Sequence, residues 1–178
     1  LHSFSRRQSQ MCIRDSNASF YLKNEVEQVT GSFKIRGALS ALSKLKENNI
    51  NGVVAYSSGN HAQGVSKAAQ IFDMHAIIVM PEDAPQNKID KTLANGAEVV
   101  LYKRHIESRE EIALKIADEK QYPLVKPFDN EDIIAGQGSF GLEACEYFIQ
   151  NDITPNIVLS CTSGAVSYTH LRAHETAY

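Results

Sequence analysis

The sequence predicts an α/β protein built from open parallel sheets flanked by helices. Short apolar runs of the kind found in buried strands alternate with longer amphipathic segments, and Gly, Pro or Asn residues mark most of the junctions. Because a helix between two strands returns the chain across one face of a sheet, strands in this alternation lie parallel. Neither an internal repeat nor a low-complexity linker interrupts the pattern along the 178 residues.

Each element follows from its periodicity and from the residues at its ends. Aromatic and branched residues in rough alternation predict a strand over 19–26, and apolar residues at helical spacing predict a helix over 33–48. Further along the chain, short apolar runs predict strands over 52–56, 75–80, 97–102 and 156–164. The segments between them predict helices over 61–72, 84–96 and 107–120, and a loop followed by a helix within 127–151.

Two internal boundaries, near 49 and near 133, divide the chain into domains. Residues 49–133 form a compact unit of three to four strands, which we interpret as a complete small domain. Residues 17–48 and 134–164 pack together as part of a larger domain. We exclude 1–16 and 165–178 from the fold, because they lack periodicity that continues into their neighbours and because both resemble translated adapter sequence.

Charge and composition exclude several kinds of partner. A net charge of −3 provides no basic field that would concentrate nucleic acid or anionic lipid. No apolar run approaches the length of about 18 residues that spans a membrane, and the N-terminus lacks the apolar core of a secretory signal. We therefore expect a cytoplasmic protein. The three cysteines are an odd number without metal-ligand spacing, which argues against a disulfide framework and against a zinc site.

Two motifs suggest chemistry that the surrounding sequence does not support. His170 and His174 stand four residues apart beside Glu175, but the order is not HExxH and the group lies in an excluded end, so we expect no metal. "GQGSFG" matches the dinucleotide fingerprint GxGxxG, yet no buried strand precedes it and no acidic residue ends the next strand. The helix that carries it places one apolar set on a single face: Leu142, Cys145, Phe148 and Ile149.

Lys34, in "TGSFKIRGA" (30–38), lies where the first helix is predicted to begin. Most lysines are solvated surface residues. A lysine at a helix N-terminus and flanked by Phe33 and Ile35 is disfavoured as an ammonium by the helix dipole and by desolvation, which lowers its pKa. A neutral amine is a nucleophile for carbonyl carbon, so Lys34 is a candidate for covalent catalysis.

Polar and glycine residues follow two of the predicted strands. "YSSGNHAQG" (56–64) places Ser57, Ser58 and Asn60 at a strand end and a helix start, where backbone N–H groups bind carboxylate or phosphate. An ordinary helix cap needs one such residue, whereas a run of them fits the ligand crevice of an open parallel sheet. "CTSG" (161–164) opens another strand end into small residues whose amides could surround a phosphate, although alone it would be a loop.

Five motifs in order carry a resemblance to a known family: "TGSFKIRGA", "SSGNHAQG", "MPEDAPQNK", "ESRE" and "PFDNEDIIAGQGSFGLE". Over 17–164 the chain resembles the serine/threonine dehydratase and serine racemase family, whose members have the tryptophan-synthase-β-like fold (fold type II) and use pyridoxal 5'-phosphate. Related cysteine synthases also have a lysine after a Gly-Ser turn, but "SFKIRGA" is similar to the dehydratase form.

The resemblance implies a role for each matching residue at the cofactor. Lys34 would form the Schiff base with pyridoxal phosphate, Phe33 would lie against the cofactor ring, and Asn60 would donate a hydrogen bond to the 3'-oxygen. The remnant of the family's phosphate loop would bind the phosphate group, and it comprises Thr162, Ser163 and Gly164. The family continues with further glycines at this point, whereas here "AVSYTH" follows.

The resemblance likewise implies which residues contact the small amino-acid substrate. They are Ser57, Ser58, Gly59, Asn60 and His61, which would hold the carboxylate with nearby backbone amides, and Arg109, which matches an arginine that reaches toward the substrate in some members. From the sequence alone, Arg109 is a solvated helix residue beside Glu110.

The implied activity is β-elimination that converts L-threonine, L-serine or both to a 2-oxo acid and ammonia. Two alternatives stay open. Ser58 occupies the position of the second acid/base in racemase members, so a serine racemase is one. The other is an inactive truncated fragment, because much of the larger domain of the family has no counterpart here. The resemblance also implies a homo-oligomer in the full-length protein.

Overall fold

The computed structural model describes residues 4–6, 19 and 21–159. Its elements confirm an α/β fold with a parallel sheet flanked by helices. In chain order they are β1 (Phe4–Arg6), β2 (Tyr21–Lys23), α1 (Lys34–Glu47), β3 (Gly52–Tyr56), α2 (Asn60–Ile71), β4 (His75–Pro81), α3 (Gln86–Ala94), β5 (Glu98–Tyr102), α4 (Arg109–Lys120) and α5 (Glu131–Gln150).

The parallel sheet has the strand order β3-β4-β5, and its register runs from Gly52 opposite His75 to Pro81 opposite Tyr102. A further segment lies along the outer edge of β3. The N–H of Val54 donates to the carbonyl of Pro123 at 3.0 Å, and the N–H of Val125 donates to the carbonyl of Val54 at 2.8 Å. This edge segment runs parallel to β3, so it ends beside the residues that follow β3.

Alternation along β3 separates two apolar clusters. Val53 and Ala55 point into the main core, which also contains Ile35 and Leu42 of α1 and Val65 of α2. On the other face of the sheet, Val54 and Tyr56 pack with residues of α4 such as Ala113. Helices α1 and α2 therefore share one face of the sheet, and α4 covers the other.

Helices α1 and α5 cross at two glycines, Gly37 and Gly136. A Cβ atom on Gly136 would lie 2.5 Å from the carbonyl oxygen of Arg36 and 2.8 Å from the Cα of Gly37, so only glycine lets the two backbones approach this closely. "GQGSFG" thus lies inside a helix, and Gly136 serves helix packing. Nothing in this placement resembles a nucleotide-binding turn.

The predicted strand over 19–26 is shorter in the structure, and part of an excluded end is ordered. Strand β2 covers Tyr21–Lys23 and pairs with β1 in antiparallel register. It ends because the side-chain oxygen of Asn24 accepts a 3.2 Å hydrogen bond from the N–H of Val26, which turns the backbone. Strand β1 lies within 1–16, the end that the sequence analysis leaves out of the fold.

The prediction of a strand over 156–164 was wrong for the residues that the structure describes. Ile157, Val158 and Leu159 are 76%, 75% and 87% exposed and form no strand. A strand is stable only when a neighbour accepts and donates its hydrogen bonds, and no described strand lies beside them. Residues 160–164 lie outside the described part of the chain.

The apolar face predicted for the last helix is present on α5 but largely exposed. Leu142 and Ile149 are 61% and 79% exposed, and Cys145 is exposed as a free thiol. The buried residues of α5 are instead Ile133, Gln137 and Gly138, which lie nearer its N-terminus. Within 21–159, no helix has the length and apolar character needed to cross a membrane.

Candidate active site

Lys34 is the first residue of α1, and its side chain is buried. Its exposed fraction is 7%, and its Nζ donates a 2.8 Å hydrogen bond to the carbonyl oxygen of Pro127. Nζ also lies 5.0 Å from the centre of the Phe33 ring. Burial lowers the pKa of the Lys34 amine to about 8, which confirms the predicted direction. A substantial fraction of the amine is neutral in mildly alkaline solution.

A glycine of α2 allows α1 to begin where it does. A Cβ atom on Gly64 would lie 3.1 Å from the carbonyl oxygen of Lys34, which is tighter than nearly all such contacts. Before the helix, Gly31 turns the chain with a φ of +71°, a conformation that favours glycine. The "TGS" turn and the "HAQG" segment, which are far apart in sequence, therefore both determine the position of Lys34.

Four side chains form an ion-pair network that holds the first turn of α1. The guanidinium of Arg36 contacts Glu25 at 2.7 Å and 3.0 Å and Glu143 at 2.7 Å and 2.8 Å. Lys23 donates to the same Glu143 carboxylate at 2.5 Å. Burial tends to raise the pKa of Glu143, but hydrogen bonds from Arg36 and Lys23 outweigh it and hold the pKa at about 2. The network ties α1 to α5 and to β2.

The helices that begin at the candidate site lack the side-chain caps of α4 and α5. Ser108 accepts a hydrogen bond from the N–H of Glu111, and Asn130 accepts one from the N–H of Ile133. Neither α1 nor α2 has such a cap or an acidic residue in its first turn. Since the first N–H groups of a helix have no acceptor within it, those at the start of α2 remain available to an anion.

Ser57, Ser58 and Gly59 connect β3 to α2 and border open space. The Ser57 hydroxyl oxygen accepts a 3.1 Å hydrogen bond from the N–H of Gly59. The half-buried Ser58 hydroxyl makes no hydrogen bond to any residue within the described part of the chain. No atom lies within 4 Å of the position that a Cβ on Gly59 would occupy. This connection therefore has room for a small ligand and a hydroxyl to contact it.

Asn60 has one half of its amide already engaged. Its Oδ1 accepts a 3.0 Å hydrogen bond from the Nζ of Lys88 in α3. Because an ammonium can only donate, this contact fixes the orientation of the amide and leaves the Nδ2 group to donate elsewhere. A ligand oxygen is a suitable acceptor for it.

His61 is fully enclosed, with an exposed fraction of 3%. Its Nε2 lies 3.0 Å from the carbonyl oxygen of Val125, while its Nδ1 has no partner among the described residues. Burial, assisted by the nearby charge of Lys34, lowers the pKa of His61 to about 4. The ring is therefore neutral near pH 7, and the backbone N–H of His61 is the group that remains for an anion.

Arg109 contacts Tyr56, the residue before Ser57. It is the first residue of α4, its guanidinium carbon lies 5.1 Å from the centre of the Tyr56 ring, and its Nη2 lies 3.8 Å from a carboxylate oxygen of Glu110. It lines a cavity of about 290 Å³ together with Tyr102, Arg104, Glu107, Ser108 and Glu110. Within the described residues, no contact joins Arg109 to Lys34 or to Ser58. Thr162, Ser163 and Gly164 lie outside the described residues, as do His170 and His174.

Comparison with known proteins shows which family this chain belongs to. Residues 7–169 match the family described as pyridoxal-phosphate dependent enzyme. The chain belongs to that family. Pyridoxal 5'-phosphate is the cofactor of these enzymes. The buried amine of Lys34, the open space at Gly59 and the available Nδ2 group of Asn60 fit an aldehyde cofactor that carries a phosphate and a ring oxygen.

Three similar proteins illustrate the range of this pyridoxal-phosphate-dependent family. An L-threo-3-hydroxyaspartate ammonia-lyase from Saccharomyces cerevisiae is 45% identical over 76% of this chain and 42% of its own length. A serine racemase from Schizosaccharomyces pombe is 40% identical over 72% of this chain and 40% of its own length. The crystal structure of a T.th. threonine deaminase is 42% identical, with a TM-score of 0.79 over 90% of this chain and 51% of that one. The chain thus spans about two fifths of the length of these curated relatives.

Sequence reasoning missed several residues of the site. The carbonyl groups of Pro127 and Val125 carry no side-chain signature, so nothing in the sequence marks them as partners of Lys34 and His61. Lys88 lies in the "MPEDAPQNK" motif, but its contact with Asn60 depends on how α2 and α3 pack. Gly64 was visible only as the end of "SSGNHAQG".

Proposed function

We propose that the full-length protein is a pyridoxal-phosphate-dependent ammonia-lyase that converts L-threonine, L-serine or both to a 2-oxo acid and ammonia by β-elimination. The observation that carries this proposal is the Lys34 amine, which is buried, has a pKa of about 8 and lies close enough to His61, in the first turn of α2, for its charge to lower the pKa of that ring. An amine in this state reacts with an aldehyde and can take up a proton near neutral pH. The names of similar proteins, among them a threonine deaminase, support an ammonia-lyase.

Several residues would hold the cofactor. Lys34 would bond to its aldehyde carbon, Phe33 would contact its ring, and the Asn60 Nδ2 group would donate to its 3'-oxygen. The phosphate group would be bound by Thr162, Ser163 and Gly164. Bound pyridoxal phosphate supplies an electron-withdrawing ring that stabilises negative charge at the substrate Cα.

The substrate is proposed to lie between α2 and Lys34. Its carboxylate accepts hydrogen bonds from the uncapped N–H groups of Asn60 and His61, where the helix dipole also favours negative charge. Ser57 and Ser58 offer hydroxyl groups at the same edge, and the space at Gly59 admits a small side chain. The burial that lowers the pKa of Lys34 leaves its Nζ able to accept the proton from Cα.

The overall reaction balances without a redox partner. The Cα–H bond and the Cβ–O bond of the hydroxy amino acid break, and a C=C bond forms between the two carbons. The hydroxyl group leaves as water. The released enamine then takes up water and yields the 2-oxo acid and ammonia, so L-threonine gives 2-oxobutanoate and L-serine gives pyruvate.

A serine racemase is the second candidate, and one observation favours it. The Ser58 hydroxyl is half-buried and makes no hydrogen bond to the described residues, so it is available to exchange a proton with a substrate. The 40% identity to a serine racemase agrees with this alternative. Substituting Ser58→Ala in the full-length protein separates the two activities. A racemase loses inversion of serine, whereas an ammonia-lyase keeps formation of the oxo acid.

The deciding experiment is an assay of the full-length protein with L-threonine, L-serine and L-threo-3-hydroxyaspartate. Colorimetric detection of the 2-oxo acid measures elimination, and chiral chromatography measures inversion. We expect oxo acid from threonine or serine, and none from the Lys34→Ala variant. Turnover of hydroxyaspartate alone, or inversion without elimination, would contradict the proposal. The 178-residue chain is assayed in parallel, since it spans about two fifths of its relatives.

A further inference from the structure

We infer that the imidazole of His61 is a positioning group for Lys34: it anchors the segment 123–127, whose last carbonyl holds the lysine amine. This role differs from that of a ligand for the substrate carboxylate. It rests on the proposed function only in taking Lys34 as the reacting amine. The experiment below measures the state of that amine directly and needs neither cofactor nor turnover.

Both side chains contact the backbone of one short segment, two residues apart. The His61 ring lies 3.0 Å from the carbonyl oxygen of Val125, and the N–H of Val125 donates to Val54 of β3 at 2.8 Å. Two residues further on, the carbonyl oxygen of Pro127 accepts the 2.8 Å hydrogen bond from Lys34. His61 and Lys34 thus hold the same short segment through two carbonyls that lie two residues apart.

The tautomer of the ring excludes it as a ligand for an anion. A carbonyl oxygen can only accept a hydrogen bond, so the Nε2 of His61 carries the proton and donates to Val125. Its Nδ1 then presents a lone pair, which repels a carboxylate oxygen. Burial also keeps the ring from gaining a positive charge, since it lowers the pKa of His61 to about 4.

After Val125, the segment makes few hydrogen bonds to the rest of the protein. Pro127 has no N–H to donate, and Lys126 is exposed. Among the described residues, the backbone of 126–127 makes no other hydrogen bond than the one from Lys34. The contact between His61 and Val125 is therefore the last attachment before the carbonyl that holds the amine. Releasing it lets water reach Lys34, which favours the ammonium form.

Two substitutions distinguish the hydrogen-bond donor of His61 from the volume of its side chain. His61→Gln keeps a side-chain N–H at nearly the reach of Nε2, whereas His61→Leu removes the donor and keeps an apolar side chain. Val65→Ala, in the same helix and fully buried in the core, is a control for general loss of stability. Competitive acetylation with trace acetic anhydride, read by peptide mass spectrometry on the folded 178-residue chain, reports the neutral fraction of Lys34 at each pH.

We expect His61→Leu to lower acetylation of Lys34 at pH 8 by about fivefold or more, which corresponds to a rise of about one pH unit in its midpoint. His61→Gln and Val65→Ala are expected to stay within about twofold of the wild-type chain. Equal acetylation of Lys34 in the wild-type and His61→Leu chains, both folded by circular dichroism, would overturn the inference.

A measurement on the wild-type chain covers the case in which His61→Leu does not fold. Long-range ¹⁵N–¹H correlation spectra at neutral pH should show a protonated Nε2 and a bare Nδ1 on His61. A proton on Nδ1, or a doubly protonated ring at pH 7, would overturn the inference. The proposed function fails by a different result, namely a full-length protein that releases no oxo acid while His61 and Lys34 behave as expected here.

Discussion

The Nζ of Lys34 donates a 2.8 Å hydrogen bond to the carbonyl oxygen of Pro127, which lies 93 residues further along the chain. This contact brings the amine to the end of the segment whose residues 123–125 pair with β3, and the amine's charge reaches His61 in the first turn of α2. It also encloses the amine, and burial is the cause of its lowered pKa. The reactivity proposed for Lys34 therefore depends on packing between distant parts of the chain.

Gly136 should not tolerate alanine. A Cβ atom there would lie 2.5 Å from the carbonyl oxygen of Arg36 and 2.6 Å from the Cβ of Ser40, and backbone cannot move aside cheaply. We expect Gly136→Ala to lower the free energy of unfolding by about 1–3 kcal/mol despite the better helix propensity of alanine. Gly141→Ala is the matched control in the same helix, since no atom lies within 4 Å of its Cβ position. It should stabilise α5 slightly, and urea denaturation measures both variants.

Gly64→Ala should change the lysine more than it changes stability. The new methyl group would lie 3.1 Å from the carbonyl oxygen of Lys34, so the first turn of α1 must shift by a few tenths of an ångström. We expect the hydrogen bond to Pro127 to weaken and the acetylation midpoint of Lys34 to move upward from about pH 8. An unchanged midpoint in Gly64→Ala, with Gly141→Ala as reference, would show that this approach of the two helices does not determine the state of the amine.

The elements with local signatures were predictable from sequence, and the contacts between them were not. The strands β3, β4 and β5 are continuous apolar runs, and α1 and α2 follow from helical periodicity, so each agreed with its prediction within a few residues. Segment 123–125 pairs with β3 although its proline argues against a strand. The strand predicted over 19–26 was too long because local hydrogen bonding at Asn24 competes with pairing.

In the candidate site, too, residues with local signatures were predictable from sequence and the contacts between distant residues were not. Lys34 and the residues after β3 are recognisable because a cation at a helix start and a run of polar residues at a strand end are unusual. The neutral state of His61 and the partner of Asn60 depend on Val125 and Lys88, which long-range packing brings into place. No periodicity or motif encodes those contacts.

Glu143→Gln should destabilise the protein at neutral pH. It removes one of the two carboxylates that contact the buried cations Lys23 and Arg36, which are 5% and 8% exposed, and leaves them only Glu25; we expect a loss of about 2 kcal/mol. Asp132→Asn is the control, because it removes an ion pair between the same two helices whose lysine is 61% exposed. It should change stability little. Equal unfolding midpoints in urea for the two variants would contradict the importance of the network.

The same network predicts sensitivity to acid. The pKa of Glu143 is about 2 in the folded chain and near its ordinary value of 4.5 when unfolded, so the unfolded chain binds the proton first. The stability that Glu143 contributes is present above about pH 4.5 and is lost as the pH falls toward 2. Urea denaturation between pH 6 and pH 3 should show a smaller decline for Glu143→Gln than for the wild-type chain.

His61 should cause a second loss of folding stability, at a higher pH than Glu143 does. Its pKa is lowered from 6.5 to about 4, so between these values the unfolded chain binds a proton that the folded chain does not. Stability is therefore lost as the pH falls from about 6.5 to 4, by about 2–3 kcal/mol in total. Urea denaturation at pH 7.5 and pH 4.5 measures this loss. His61→Gln should show a smaller difference between the two pH values, and an identical difference would contradict the neutral buried ring.

The role assigned to Lys34 is tested most directly by finding which lysine reacts with pyridoxal phosphate. The protein is incubated with the cofactor across pH 6–10, reduced with borohydride, digested and analysed by mass spectrometry, with Lys34→Ala as control and the exposed Lys126 as an internal reference. We predict that the label accumulates on Lys34 ahead of Lys126 and is half-maximal near pH 8. A folded, soluble protein that carries the label on exposed lysines and leaves Lys34 unmodified would contradict the role assigned to it.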